Sequence, residues 1–300
     1  MLKDEILKLK KEKNAVILAH CYQNIEIDEV ADFVGDSLYL SKMAATTDAD
    51  IIVFAGVYFM AQTAKIISPN KKVLLPNMQS GCLMADMIDL EQLRDFKAKN
   101  KDVPVVCYVN STAEVKSECD VCCTSSNAVK VVKNLNVPEI LFLPDTYLGK
   151  WVESQLGNVK VNTYPGFCPT HLRIKAEDMH NARTKYSKAK ILAHPECHKD
   201  VCQLADFVGS TTAIMKYAME SDNKSFVIAT EKGVVDRLKR DCPDKEFILI
   251  KDNIICPNMK HNTLEDIYSV LKNENNEITV DEEISKKALN CINKMFEVCK

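Results

Sequence analysis

Glycine is scarce in this chain, with eight among 300 residues, and none of the eight falls in a GxGxxG or GxxxxGKT pattern. A Rossmann dinucleotide site and a P-loop both need closely spaced glycines so that the backbone can approach a phosphate; neither is expected here. An excess of one charge is also missing. The formal net charge is −3, and no basic run is interleaved with aromatics, so the chain has no electrostatic footprint for nucleic acid. No apolar run approaches the roughly 18 residues of a membrane span. The opening MLKDEILKLKKEK is too charged for a secretory leader. The expectation is a cytoplasmic protein that binds neither nucleic acid nor membrane.

Cysteine, by contrast, is abundant. Thirteen cysteines in a chain read as cytoplasmic are reduced thiols or metal ligands rather than a disulfide framework. Two groups stand close in sequence. Cys119, Cys122 and Cys123 resemble half of a zinc site, and His194, Cys197, His198 and Cys202 offer four possible ligands within nine residues. Metal binding, a redox role and plain burial as small apolar residues are all open for these two groups.

The strongest signal is a repeat. Residues 15–37, AVILAHCYQNIEIDEVADFVGDS, return 174 positions later as AKILAHPECHKDVCQLADFVGST, with ten of twenty-three positions identical. A fainter third copy lies between them, shifted by 88 residues from the first, with VVCY at 105–108 and VCCTS at 121–125. Residues that recur at this spacing should hold equivalent places in three supersecondary modules. Cys82, Cys168 and Cys256 do so, at separations of 86 and 88 residues. A pseudo-threefold arrangement of the modules would bring these three thiols toward one axis.

The chain therefore divides into three domains of about 90 residues: 1–98 with Cys82, 99–185 with Cys168, and 186–300 with Cys256. Apolar runs of strand length stand at 15–19, 51–55 and 73–75, then 103–109, 140–143 and 159–163, then 190–193, 225–229 and 247–250. They are continuous rather than alternating, which fits strands buried on both faces. Helical patterns lie between them, so each domain is expected to be a three-layer αβα unit around a small parallel sheet of three strands. An amphipathic helix precedes the first unit over 2–12. Beyond Asn262 a helical tail with a polar break at 273–276 is expected to clasp the units together.

Ligands of parallel α/β sheets bind beyond the carboxyl ends of the strands, and the repeated motifs fall there. His20 and His194 end a first strand, with Tyr108 as their counterpart. Two residues on stand Tyr22, Asn110 and Glu196. Ser37, Ser125 and Thr211 are expected at helix starts, where free N–H groups favour a carboxylate or phosphate. The three cysteine loops come out on the same side. Three thiolates from three loops can hold a zinc ion or an iron–sulfur cluster; a cluster normally takes four cysteines, so three would leave one iron open to act as a Lewis acid. His171, three residues past Cys168, is a metal ligand, a substrate contact or a helix-start histidine.

Taken together these motifs resemble the quinolinate synthase family. AHxYQ at 19–23, DFVGDS at 32–37, FMAxTAK at 59–65, GCxMA at 81–85, YVNS at 108–111, GFCxxH at 166–171, HPEC at 194–197, GST at 209–211 and CPNMK at 256–260 occur in order along the whole chain. The resemblance implies three αβα domains about a pseudo-threefold axis and a [4Fe-4S] cluster held by Cys82, Cys168 and Cys256. It implies condensation of iminoaspartate with dihydroxyacetone phosphate to quinolinate, with loss of phosphate and water, in NAD biosynthesis. An aspartate oxidase or dehydrogenase would be the functional partner. It further implies that His20, Ser37, Tyr108, Asn110, Ser125, His194, Glu196 and Thr211 hold the substrates, that Tyr22 and Glu196 move protons, and that His171 lies near the open iron. Gln62 and His198 depart from the residues common in the family, glutamate and proline. The cysteine pair that some members carry around the third cluster ligand is absent, Ile254 and Ile255 preceding Cys256. A zinc hydrolase and an iron–sulfur sensor are the competing readings; the sensor has no DNA-binding helix pattern to support it.

Overall fold

The computed structural model describes residues 1–299. After helix α1 (Leu2–Glu12), the first unit runs β1 (Ala15–His20), β2 (Phe33–Gly35), α2 (Ser37–Thr46), β3 (Ile51–Ala55), α3 (Tyr58–Ile67), β4 (Lys72–Leu74) and α4 (Leu90–Ala98). The second repeats the plan with β5 (Val105–Tyr108), α5 (Ala113–Ser117), β6 (Val121–Cys123), α6 (Ala128–Leu135), β7 (Glu139–Leu143), α7 (Thr146–Leu156), β8 (Lys160–Thr163), α8 (Pro169–Leu172) and α9 (Ala176–Lys185). The third follows with β9 (Lys190–Ala193), α10 (Lys199–Leu204), β10 (Phe207–Val208), α11 (Thr211–Glu220), β11 (Ser225–Ala229), α12 (Lys232–Asp241) and β12 (Glu246–Leu249). Helices α13 (Leu264–Asn273) and α14 (Glu282–Glu297) form the tail.

Each sheet is parallel and the three strand orders are equivalent: β2-β1-β3-β4, β6-β5-β7-β8 and β10-β9-β11-β12. Among the described residues twelve strands thus replace the nine expected, one more in every sheet. The additional strands are two or three residues long and lie at sheet edges, too short to show a period in sequence. They position the site nonetheless. Pairing sets His20 beside Gly35, Tyr108 beside Cys123 and Ala193 beside Val208, so the two halves of each repeated motif emerge side by side at the same sheet end.

Successive residues of the inner strands serve opposite layers. Val16 and Leu18 join the core shared with the second sheet, while Ile17 and Ala19 join a second core under α1 and α13. Leu192 and Ile191 divide the same way between the two faces of the third sheet. Each such buried aliphatic side chain contributes about 1.5–3 kcal/mol, an upper figure for an extended reference chain.

The tail packs on the first two units. Helix α13, capped by Thr263 and Asp266, lies on α1 and β3, and α14 lies on α5, β6 and α3. Between them Ile278 N–H donates to Val73 and Leu75 N–H to Asn276, so the tail covers the otherwise open edge of β4. The first and third units are joined at Gly233 and Arg237 of α12. A Cβ at Gly233 would lie 2.6 Å from the Cys21 carbonyl oxygen, so only glycine allows this approach. Arg237, fully buried, pairs with Asp28 and donates to the carbonyls of Cys21 and Gln23 at 2.7 and 3.2 Å.

Candidate active site

His20, Tyr22, Ser37 and Cys82 from the first unit, Tyr108, Asn110, Ser125, Cys168 and His171 from the second, and His194, Glu196, Thr211 and Cys256 from the third all line one cavity. The residues expected to hold the cluster, bind substrate or move protons are therefore brought together, whereas Cys119, Cys122, Cys123, Cys197, His198 and Cys202 are not among the lining. One local expectation is corrected. Ser37 and Thr211 open α2 and α11, but Ser125 stands in a turn ahead of α6, whose N-cap is Asn127. The repeat preserved the strand end but not the helix register in the second copy.

The cysteine loops are shaped locally. Cys168 and Cys256 each occupy the N-cap position of a short helical turn with proline directly after, where the missing N–H costs nothing and φ is already helical. Gly166 lets the second loop close: a Cβ there would sit 2.3 Å from the Pro144 carbonyl oxygen. Burial pushes the Cys82 thiol up to about 12 and raises those of Cys168 and Cys256 as well. Thiols so disfavoured as thiolates are poor nucleophiles; a bound metal would supply the positive charge that deprotonates them.

The two repeated histidines are set alike. His20 Nδ1 accepts from Tyr22 N–H at 3.1 Å and His194 Nδ1 from Glu196 N–H at 3.3 Å. Burial depresses their pKa values to about 4 and about 3, so both rings are neutral near pH 7. With Nδ1 accepting, the ring proton is on Nε2, a fixed donor for an anionic ligand. His194 Nε2 lies 3.3 Å from Ser125 Oγ.

Glu196 is contacted on both carboxylate oxygens. Its Oε1 accepts from the Tyr108 hydroxyl at 2.6 Å and its Oε2 lies 2.8 Å from His171 Nδ1. Burial opposes its charge, but the imidazoles of His171 and His194 and the hydrogen bonds from His171 and Tyr108 outweigh that and hold the carboxyl well below its ordinary range. Tyr22 is the opposite case: burial first, and the Glu196 charge second, push its phenol well above the usual value. Two titratable groups of one cavity are thus driven apart, a carboxylate that accepts and a phenol that keeps its proton.

Among the described residues, the one triad whose ligand atoms all lie within 4.8 Å of one another is Cys168, His171 and Glu196. Cys82, Cys168 and Cys256 share the cavity but do not form such a group. Neither cluster that looked inviting in sequence does either. Cys122 faces Cys291 of α14 at 3.3 Å, Cys197 and Cys202 bond to main-chain carbonyls, and His198 caps α10.

Several contributors had no signal in the repeat. Asp36 accepts from Ser126 and Thr212 hydroxyls, both at 2.7 Å, joining all three units. Glu231 accepts from Cys256 N–H at 3.2 Å and pairs with Lys260 at 3.3 Å. Asn110, which the repeat had marked, has its Oδ1 buried with no hydrogen-bond partner among the described residues.

Among protein families, the model described as quinolinate synthetase A protein matches residues 4–297. The chain is 54% identical to a quinolinate synthase of Alkaliphilus metalliredigens over 295 residues, 98% of this chain and 97% of the relative. It is 49% identical to one of Caldicellulosiruptor bescii over 298 residues, 99% and 98%, and 48% identical to one of Clostridioides difficile over 294 residues, 98% and 97%. With matching that spans the whole chain and all three cysteine loops, this protein belongs to the quinolinate synthase family.

Proposed function

We propose that the chain is an enzyme of NAD biosynthesis that condenses iminoaspartate with dihydroxyacetone phosphate, releases phosphate and water, and closes the ring of quinolinate. The observation that carries this reading is the convergence of three loop cysteines with two neutral histidine donors, a carboxylate and a phenol on one cavity. Cys82, Cys168 and Cys256 would hold a [4Fe-4S] cluster. Thiolates on one zinc ion, each about 2.3 Å away, stand no more than about 4.6 Å apart. The wider setting of these three suits a polynuclear group better than the single ion of a zinc hydrolase. When bound, such a cluster supplies an iron that polarises a hydroxyl or carbonyl oxygen.

The chain's own residues do the rest. His20 and His194 present Nε2–H donors, and Ser37, Ser125, Thr211, Tyr108 and Asn110 add hydroxyl and amide groups, a set suited to two carboxylates and a phosphate. Glu196, held ionised, takes protons from carbon or oxygen; Tyr22, held protonated, returns them. His171 holds the Glu196 carboxylate in place beside Cys168. We take 1–98, 99–185 and 186–300 as three domains about a pseudo-threefold axis, with the tail as a clasp. The cytoplasm is the expected compartment, where an aspartate oxidase or dehydrogenase would supply the imine.

Anaerobic purification with iron and sulfide analysis, followed by quinolinate assay from the two substrates, tests the reading. The expected result is about four irons and four sulfides per chain with quinolinate formed. Stoichiometric zinc in an active hydrolase would replace this reading with the competing one.

A further inference from the structure

Thr230 follows the last residue of β11 and is fully buried. It stands behind the cavity wall rather than on it, and its hydroxyl touches two of the residues that do line the cavity. Thr230 Oγ1 lies 3.0 Å from the Tyr22 hydroxyl and 2.8 Å from His171 Nε2. Tyr22 is also 2.8 Å from Thr211 Oγ1. One hydroxyl of the third unit therefore bridges the phenol of the first to the imidazole of the second.

The repeat shows that this group has no counterpart. Gly56 and Pro144 stand at the equivalent strand ends, 174 and 86 residues earlier, and neither has a side chain that can hydrogen-bond. A small buried residue would fill the place as well as threonine does. The hydroxyl is what differs.

We infer that Thr230 is a positioning residue that holds the Tyr22 hydroxyl and the His171 ring in place for the reaction proposed above. His171 Nδ1 lies 2.8 Å from Glu196 Oε2 and 3.2 Å from Cys168 Sγ. At the other ring nitrogen, Thr230 Oγ1 is the partner of Nε2 at 2.8 Å. The same hydroxyl meets the Tyr22 phenol, which Thr211 also holds. Thr211, Tyr22, Thr230 and His171 thus form one row of polar contacts that ends beside Glu196. Without the Thr230 hydroxyl, His171 Nε2 loses the partner it has among the described residues and Tyr22 keeps only Thr211, so both groups are freer to turn out of line.

The inference rests on the proposed reaction, and its test separates the two. Thr230→Val removes only the hydroxyl at nearly constant volume; Thr230→Ser keeps it. In the iron-loaded enzyme the valine variant should retain iron and sulfide and bind quinolinate within about threefold of the parent, yet lose kcat by about 10²-fold with KM little changed. Serine should restore kcat to within a few-fold. Because Thr230 acts through Tyr22, adding Thr230→Val to Tyr22→Phe should cost little further. Full multiplication of the two losses would overturn the role. So would an active valine variant beside an active parent, or a crystal structure of that variant with the Tyr22 hydroxyl and His171 ring unmoved. Should valine prove too tight, Thr230→Ala carries the same comparisons, and loss of iron in both would make the hydroxyl structural and overturn the inference. A parent that forms no quinolinate would instead refute the reaction, and the variant's crystal structure would still decide the positioning.

Discussion

The Tyr108 hydroxyl donates to Glu196 Oε1 at 2.6 Å across 88 positions of sequence. That bond, with the His171 contact on the other oxygen, leaves Glu196 charged in a dry site and aimed at the cavity. Tyr22, on the equivalent position of the first repeat, keeps its proton. Replacing Glu196 by Gln removes the charge, and replacing Tyr22 by Phe removes the hydroxyl, without changing volume much. Each variant should keep its cluster and still bind a dicarboxylate, but turn over roughly 10²-fold or more slowly. Quinolinate formation with iron content measured alongside checks this; turnover within a few-fold of the parent would make the residue a spectator.

Cluster assembly should depend on three cysteines alone. Single changes of Cys82, Cys168 or Cys256 to serine are expected to yield protein without iron or sulfide. The same change at Cys122, Cys197 or Cys202, which bond elsewhere in the fold, should leave both in place. Equal dependence on one of those three would show that the ligand set is wrong.

A cluster with an iron not held by protein is open to oxidants as well as substrate. Activity and visible absorption are expected to fall together on exposure to air. Undiminished activity in metal-free, air-equilibrated protein would exclude the cluster from the reaction.

Acid stability should carry the mark of His20. Its pKa falls from 6.5 in the unfolded chain to about 4 in the fold, chiefly through burial. Between those values the unfolded state binds more protons, so the stability His20 contributes as a neutral ring is complete above about pH 6.5 and is lost as pH falls toward 4. The slope is about 1.4 kcal/mol per pH unit when one such group titrates fully. Denaturant unfolding of the parent and of His20→Gln should give curves whose difference changes across that window and is flat above it. A constant difference from pH 4 to 7 would mean the ring is not the source.

Asp28 and Arg237 hold the first and third units together in a nearly dry contact. Asp28→Asn leaves the guanidinium buried without its counter-charge, although Arg237 still donates to two carbonyls. The expected loss is about 3 kcal/mol, read as a shift of the denaturation midpoint. A loss below about 1 kcal/mol, the range of exposed pairs, would mean that water reaches the site.

What the chain order alone determined is whatever repeats. Because His20 and His194, Tyr22 and Glu196, and the three loop cysteines recur at one spacing, their places at strand ends and their meeting on one cavity were legible before any coordinate. So were the β-α-β order and the amphipathic α1, since both rest on local periods of apolar residues. The edge strands β2, β6 and β10 were not, because two or three residues carry no period and their pairing is decided by neighbours. Nor was the docking of α13 and α14 on the first two units, where an apolar face tells that a helix is covered but not by what. The bonds of Asp36 to Ser126 and Thr212, and of Thr230 to Tyr22 and His171, belong to the same class. Each is a single polar contact between residues 59 to 208 positions apart, and a hydroxyl or carboxylate bonds whatever the packed units bring within about 3 Å of it. Only the assembly of the three units chooses that partner.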